Sequence, residues 1–273
     1  MEYLLEKIEE TVAFLKAKGF TGAKAGIVLG TGLGSFINLI KIEQSISYKE
    51  IPNFPIATVE FHKGQLIIGY VGDTKVIVMQ GRFHYYEGYS MQQITFPVRV
   101  MKALGIDYLL LSNAAGGMNV NYKKGDLVLL DDHINLLPEN PLRGLNDAAF
   151  GNRFVDMCQP YNAQLNSLLK NAATALNIGL QQGVYVSVMG PNLETRGEYR
   201  YLKNMGADLV GMSTVPEVIV ANHVGLACAA ISVITDECNP DNLQPVNIAE
   251  IIAVAGKADD KLSKIFESVV RNL

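Results

Sequence analysis

Short runs of β-branched and aliphatic residues alternate along this chain with longer stretches in which apolar positions recur every three or four residues. The short runs predict strands over residues 25–29, 65–71, 75–79, 108–112, 127–130, 183–188 and 227–235, with shorter ones near Ile46 and Leu209. The longer stretches predict helices over residues 4–18, 91–104, 161–176, 195–205, 215–224 and 248–270. This alternation predicts an α/β fold in which helices pack around a mainly parallel or mixed sheet. In such folds ligands gather beyond the carboxyl ends of the strands.

Composition narrows the class. The 273 residues are 49% hydrophobic, enough for a sizeable core. No Pro- or Ser-rich linker, charge block or repeat divides them, so one domain over residues 1–273 is expected. A formal net charge of -4 argues against a general nucleic-acid or membrane-surface binder, so any anionic ligand must be held by local donors. Cys158, Cys228 and Cys238 lie in unlike contexts without metal-type spacing, which predicts reduced thiols in a cytoplasmic protein and no zinc site. The segment from Met1 to Ile8 is acidic and amphipathic, a surface helix and not a signal peptide. No apolar run reaches transmembrane length.

Several polar motifs follow predicted strands. Gln80-Gly81-Arg82-Phe83-His84-Tyr85-Tyr86-Glu87-Gly88-Tyr89 crowds an arginine, a histidine and tyrosines at a strand exit. Arginine offers a planar fork of donors to phosphate, histidine a titratable donor, and tyrosine an apolar face with a hydroxyl for a sugar. Alone, the decapeptide also fits an aromatic turn with an exposed arginine. Gly30-Thr31-Gly32-Leu33-Gly34 could bring backbone N–H groups and the Thr31 hydroxyl to a phosphate, but it lacks the later glycine of a dinucleotide turn and the lysine of a phosphate-binding loop. Ser112-Asn113-Ala114-Ala115-Gly116-Gly117 reads as a tight bend leaving a strand, with room for a ligand against the backbone. Glu194 precedes a helix start with Thr195 as its N-cap, either complementing the helix dipole or accepting hydrogen bonds from a base edge. Ser213 or Thr214 is expected to cap a further helix, whose N-terminus is equally an anion site.

In order, GTGLG, IPNFP, GRFHYYEGY, TFPVRV, SNAAGG, GDLVLLDDHINL, NPLRG, GPNLET and GADLVGMSTVPEVIVA resemble the trimeric, low-molecular-mass purine nucleoside phosphorylases. The likeness runs from Gly26 to about Thr235 and again in the C-terminal helix. It implies a mixed, partly barrel-like sheet, a homotrimer, and reversible attack of inorganic phosphate on a purine nucleoside in purine salvage. Phosphate would be a co-substrate, with no other cofactor and no metal. Carried over by position, Thr31, His62, Arg82, His84, the Ala114 N–H and Ser213 would hold phosphate. Tyr86 and Met212 would line the ribose, and Phe154 would reach a neighbouring subunit's site. Glu194 would accept from the purine N1–H, Leu193 and Val210 would form apolar walls, and Thr235 and Asp236 would complete the base site. His84, Glu194 and Asp236 would carry the chemistry.

The chain departs from that pattern at three places. Leu193 replaces a common aromatic, and the family's usual ribose 5′ histidine is absent, with Asn247 as candidate substitute or simple helix cap. Asp236 stands where 6-oxopurine enzymes carry asparagine. An amide donates to N7, whereas an ionised carboxylate only accepts. Asp236 would therefore act as an acid at N7 if burial raised its pKa, or accept from the 6-amino group of adenine. Inosine and guanosine are the expected substrates, and adenosine or 5′-methylthioadenosine the alternatives.

Overall fold

The computed structural model describes residues 2–31, 33–58, 63–145 and 150–273. Its strands are β1 (Ala25–Leu29), β2 (Lys41–Ser47), β3 (Gln65–Val71), β4 (Thr74–Gln80), β5 (Tyr108–Gly117), β6 (Leu127–Asn135), β7 (Leu180–Ser187), β8 (Leu209–Gly211) and β9 (Ala227–Glu237). They form one mixed sheet in the order β2-β3-β4-β1-β5-β8-β7-β6-β9. β5 also pairs with β9, so β5, β8, β7, β6 and β9 close into a barrel while β2, β3, β4 and β1 extend from it as an open wing. The wing begins as an antiparallel meander and joins the barrel through β1, which is parallel to both β4 and β5.

The helices are α1 (Glu2–Ala17), α2 (Met91–Ala103), α3 (Ala163–Ala175), α4 (Arg196–Asn204), α5 (Val215–His223) and α6 (Ile248–Val270). Successive side chains of a strand point to opposite faces, and the wing strands sort their apolar residues accordingly. Val28, Leu66, Ile68, Ile77, Met79, Leu109 and Leu111 share a core with Ile8, Leu15, Val98, Met101 and Val218 from α1, α2 and α5. Ile27, Leu29, Ile67, Val76, Val78 and Leu110 share the other with Leu165, Leu169, Leu262 and Phe266 from α3 and α6. Both faces being covered, the strands read as continuous apolar runs, and each large side chain so buried contributes roughly 1.5–3 kcal/mol. α4 packs separately, placing Tyr199 and Leu202 against Met118, Val186, Val210 and Cys238.

Each predicted strand and helix is present, with differences of length. β5 continues to Gly117 where a bend was expected after Ser112, because Gly116 and Gly117 pair with Val210 and Leu209 of β8 and with Asp236 and Glu237 of β9. Small residues are required there: a Cβ on Gly116 would lie 2.5 Å from the Cys238 sulfur and 3.2 Å from Oδ2 of Asp236. β6 runs to Asn135 and not Leu130, since a bulge between Leu130 and Asp132 lets its polar end pair with β7. The Arg82 decapeptide contains one 3-10 turn, Tyr85–Glu87. Among the described residues no helix is long and apolar enough to cross a membrane.

Candidate active site

One cleft opens at the carboxyl ends of β1, β4 and β5 and is walled by the segments following β7, β8 and β9. It brings together Thr31, Arg82, His84, Tyr86, Ala114, Leu193, Glu194, Val210, Met212, Ser213, Thr235 and Asp236.

One end of the cleft is built around Arg82 and rich in donors. Gly30, at the end of β1, brings the turn against β5: its N–H donates to Oγ of Ser112 at 3.2 Å, and a Cβ there would stand 2.7 Å from the Ser112 carbonyl oxygen. Arg82 follows β4 and is 2% exposed. Its Nη1 donates to the Ser112 carbonyl (2.6 Å) and to Oγ of Ser213 (3.3 Å), while Nε lies 3.2 Å from Oε1 of Glu217. Glu217 is itself buried in the first turn of α5. Buried hydrogen bonds of this kind fix the guanidinium in one orientation.

The α5 N-terminus is not capped as the sequence suggests. Thr214 has φ 70° and makes no capping bond. Its hydroxyl accepts from Nδ2 of Asn113 at 2.9 Å and lies 3.2 Å from that of Ser213. The Ser213 N–H donates to the Tyr185 hydroxyl at 3.2 Å. The side chains are thus spent on shaping the cleft, and the positive end of the helix faces the same region as Arg82. Burial pushes the His84 pKa down, against its hydrogen bond to Glu87. Nδ1 of His84 sits 2.8 Å from Oε1 of Glu87, and the ring stacks on Tyr86 with centroids 4.7 Å apart. Burial also opposes ionisation of Glu87, but hydrogen bonds from His84 and from the Thr58 hydroxyl and N–H outweigh it and hold the carboxyl at about 2.

The other end carries two carboxylates. Glu194 leads into α4, whose Thr195 accepts from the Glu198 N–H in a capping box. Burial pushes the Glu194 carboxyl above the usual carboxylate range, helped by the charge of Asp236 and opposed by a hydrogen bond from Tyr199. Asp236 owes its aim to a β-bulge: Ala115 pairs with Ile234 and Gly116 with Asp236, leaving Thr235 as the extra residue. In a regular strand Thr235 and Asp236 would face opposite sides, yet both line the cleft. Asp236 accepts from the Thr235 hydroxyl through Oδ1 (2.8 Å) and from the Cys238 thiol through Oδ2 (2.9 Å).

One predicted residue, Phe154, stands apart from this cluster. His62 lies outside the described residues. Phe154 is 88% exposed and borders a separate groove with His133, Arg143 and Arg153. Asn247 caps α6, its Oδ1 accepting from the Ala249 N–H at 2.9 Å. Sequence reasoning missed Glu87, Glu217 and Asn113, which it left as unassigned members of their motifs. It also missed Tyr199, to which it gave no role, and Cys238, taken only as one of three reduced thiols.

A donor-lined pocket around Arg82 facing two carboxylates across one cleft, at the rim of a closed barrel that carries an open wing, is the arrangement of a phosphorylase. The family model described as Phosphorylase superfamily matches residues 24–271. Purine nucleoside phosphorylase 1 of Bacillus subtilis is 47% identical over 265 residues, covering 97% of this chain and 98% of its own length. The crystal structure of Schistosoma mansoni purine nucleoside phosphorylase in complex with adenosine superposes with a TM-score of 0.92 at 39% identity, covering 98% of this chain and 97% of that one. A Schistosoma purine nucleoside phosphorylase in complex with hypoxanthine matches with the same TM-score of 0.92 and identity of 39%, over 98% of this chain and 97% of that one. The chain belongs to the phosphorylase superfamily and, within it, to the purine nucleoside phosphorylases.

Proposed function

We propose that the chain catalyses reversible phosphorolysis of the N-glycosidic bond of purine ribo- and deoxyribonucleosides, releasing free base and pentose 1-phosphate. The observation that carries this reading is the pairing, in one cleft, of Arg82, His84 and Ser213 at one end with Glu194 and Asp236 at the other. Phosphate lies with Arg82, His84, Ser213, Thr31 and the Ala114 N–H, and His62 is assigned to the same group. The ribose spans Tyr86 and Met212, and the base meets Glu194, Asp236 and Thr235 between Leu193 and Val210.

As the C1′–N9 bond lengthens, positive charge develops on the ribose and is stabilised by the phosphate dianion, while negative charge spreads onto the purine and is stabilised by hydrogen bonds. With Glu87 ionised beside Nδ1, His84 can take up a proton at Nε2 as phosphate arrives and donate to an oxyanion. Phosphate is the nucleophile and no other cofactor is invoked, so positioning and electrostatics carry the rate. Inosine and guanosine are the leading substrates. Adenosine is the second reading, favoured by Asp236 accepting from both Thr235 and Cys238, the arrangement of an ionised acceptor.

The exposure of Phe154 supports a homotrimer in which this ring completes a neighbour's ribose site. The free thiols of Cys158, Cys228 and Cys238 suit a cytoplasmic enzyme. The test is release of base from inosine, guanosine, adenosine and 5′-methylthioadenosine with and without inorganic phosphate. Phosphate-dependent hypoxanthine and guanine support the leading reading, adenine alone supports the second, and release independent of phosphate refutes both.

A further inference from the structure

A second cavity, of about 390 Å³, lies away from the cleft, where the C-terminal ends of α2 and α5 meet α1. Leu5 and Ile8 of α1, with Phe150 and Val224, supply apolar walls, and Arg99, Lys102 and His223 supply polar ones. None of these residues lines the cleft. Such a volume, and a lining that is largely apolar with a few convergent polar groups, are those of a small-molecule site.

Arg99 sets the chemistry of this cavity. It is 5% exposed, and its Nη2 donates to Nδ1 of His223 at 3.2 Å. Arginine only donates, so Nδ1 receives the bond unprotonated and His223 is held neutral with its proton on Nε2. The guanidinium carbon lies 5.4 Å from the centre of the Phe150 ring. Nη1 is buried without a hydrogen-bond partner. Burial pushes the Arg99 pKa down to about 10, and no carboxylate among the described residues offsets that shift. Arg82, by contrast, is buried against Glu217. A buried cation with neither a counter-charge nor a full set of acceptors carries an uncompensated desolvation cost.

The helix ends do not account for this arginine. Cations in a last turn bond free carbonyls and complement the dipole. Lys102 does so, its Nζ donating to the Gly225 carbonyl beyond α5 at 3.4 Å. Among the described residues Arg99 bonds no such carbonyl, its one polar partner being His223. Three positions apart, Arg99 and Lys102 share a face of α2 and so present two positive charges to one space. We propose that this cavity binds an organic oxyanion, its carboxylate or phosphate head held by Arg99 and Lys102 and its flat apolar body seated against Leu5, Ile8, Phe150 and Val224. The site is independent of the chemistry in the cleft.

The test is calorimetric titration of benzoate and of phenyl phosphate into the unmodified chain, Arg99→Met and Lys102→Glu, with inorganic phosphate saturating so that the proposed anion position in the cleft is filled. The expected result is one aryl anion bound per chain. Arg99→Met removes a charge-assisted donor and Lys102→Glu sets a carboxylate beside the head, each weakening binding roughly tenfold or more. Phosphate-dependent base release from inosine is unchanged in both variants. Tighter binding of benzoate assigns a carboxylate ligand and tighter binding of phenyl phosphate a phosphate ester, and either supports the site. Absence of binding by both probes overturns the proposal, as does binding that Lys102→Glu leaves intact, even where Arg99→Met fails to fold. Binding that competes with phosphate in base release belongs to the cleft and overturns it too.

Discussion

Replacing Arg82 with alanine removes two things at once, and the structure separates them. The guanidinium is 2% exposed and its Nε lies 3.2 Å from Oε1 of Glu217, a side chain 4% exposed. Deleting one partner of such a pair strands the other charge in the interior, which costs about 3–5 kcal/mol. At about 2 °C per kcal/mol for a chain of this size, Arg82→Ala should melt roughly 6–10 °C lower. The second loss is catalytic. A charge-assisted hydrogen bond contributes about 1.5–3 kcal/mol, so kcat/KM for phosphate should fall roughly 10- to 150-fold. The double variant Arg82→Met with Glu217→Gln leaves no stranded charge and restores most of the melting temperature while phosphate use stays impaired. Scanning calorimetry and initial rates at varied phosphate, with nucleoside saturating, measure both. The reasoning is refuted if the double variant is as unstable as the single one, or if phosphate use recovers together with stability.

Asp236→Asn supplies an amide donor toward N7 and should raise the inosine to adenosine ratio of kcat/KM by roughly tenfold or more, read from initial rates. Gly116→Ala drives a Cβ against the Cys238 sulfur and Asp236; displacing that carboxylate should cost roughly 10- to 100-fold in kcat/KM for the nucleoside with little change in KM for phosphate. Glu87 has its folded pKa depressed, so its contribution to stability is complete above the unfolded carboxylate range and is lost as pH falls from about 4.5 toward about 2. Glu87→Gln should flatten that part of an acid-denaturation curve, and an unchanged acid limb would contradict the pairing with His84. In the proposed homotrimer, co-expressing Phe154→Ala with Asp236→Ala chains should recover activity that neither variant shows alone, because mixed assemblies would hold sites with both residues intact, and no recovery would count against that assembly.

Much of this site was legible because its donors sit in motifs that directly follow apolar runs. Thr31, Arg82 and Ala114 lie at the ends of β1 and β4 and on β5, where a helix-covered sheet gathers ligands. The wing strands were readable because both their faces are apolar. What stayed hidden depends on tertiary contacts. Nothing in the run Ser112 to Gly117 favours a strand locally, and β5 extends through it only because β8 and β9 supply partners. The bulge at Thr235 leaves no local signature, so the shared facing of Thr235 and Asp236 could be assigned by resemblance but not by periodicity. Thr214 has the composition of a cap, yet its left-handed backbone turns the hydroxyl to Asn113. Tyr199 and Cys238 lie 39 positions apart and meet only because α4 folds back over the end of β9.

β5 belongs at once to the open wing and to the closed barrel. Ala114, beside the proposed phosphate position, and Gly116, beside Asp236, are two steps apart on that strand, and a pleated backbone advances about 3.3 Å per residue. On the proposed assignment, the separation between the phosphate end and the base end of the cleft follows the pitch of a single strand pinned from both sides, a calliper roughly 6–7 Å wide that loop movements cannot reset.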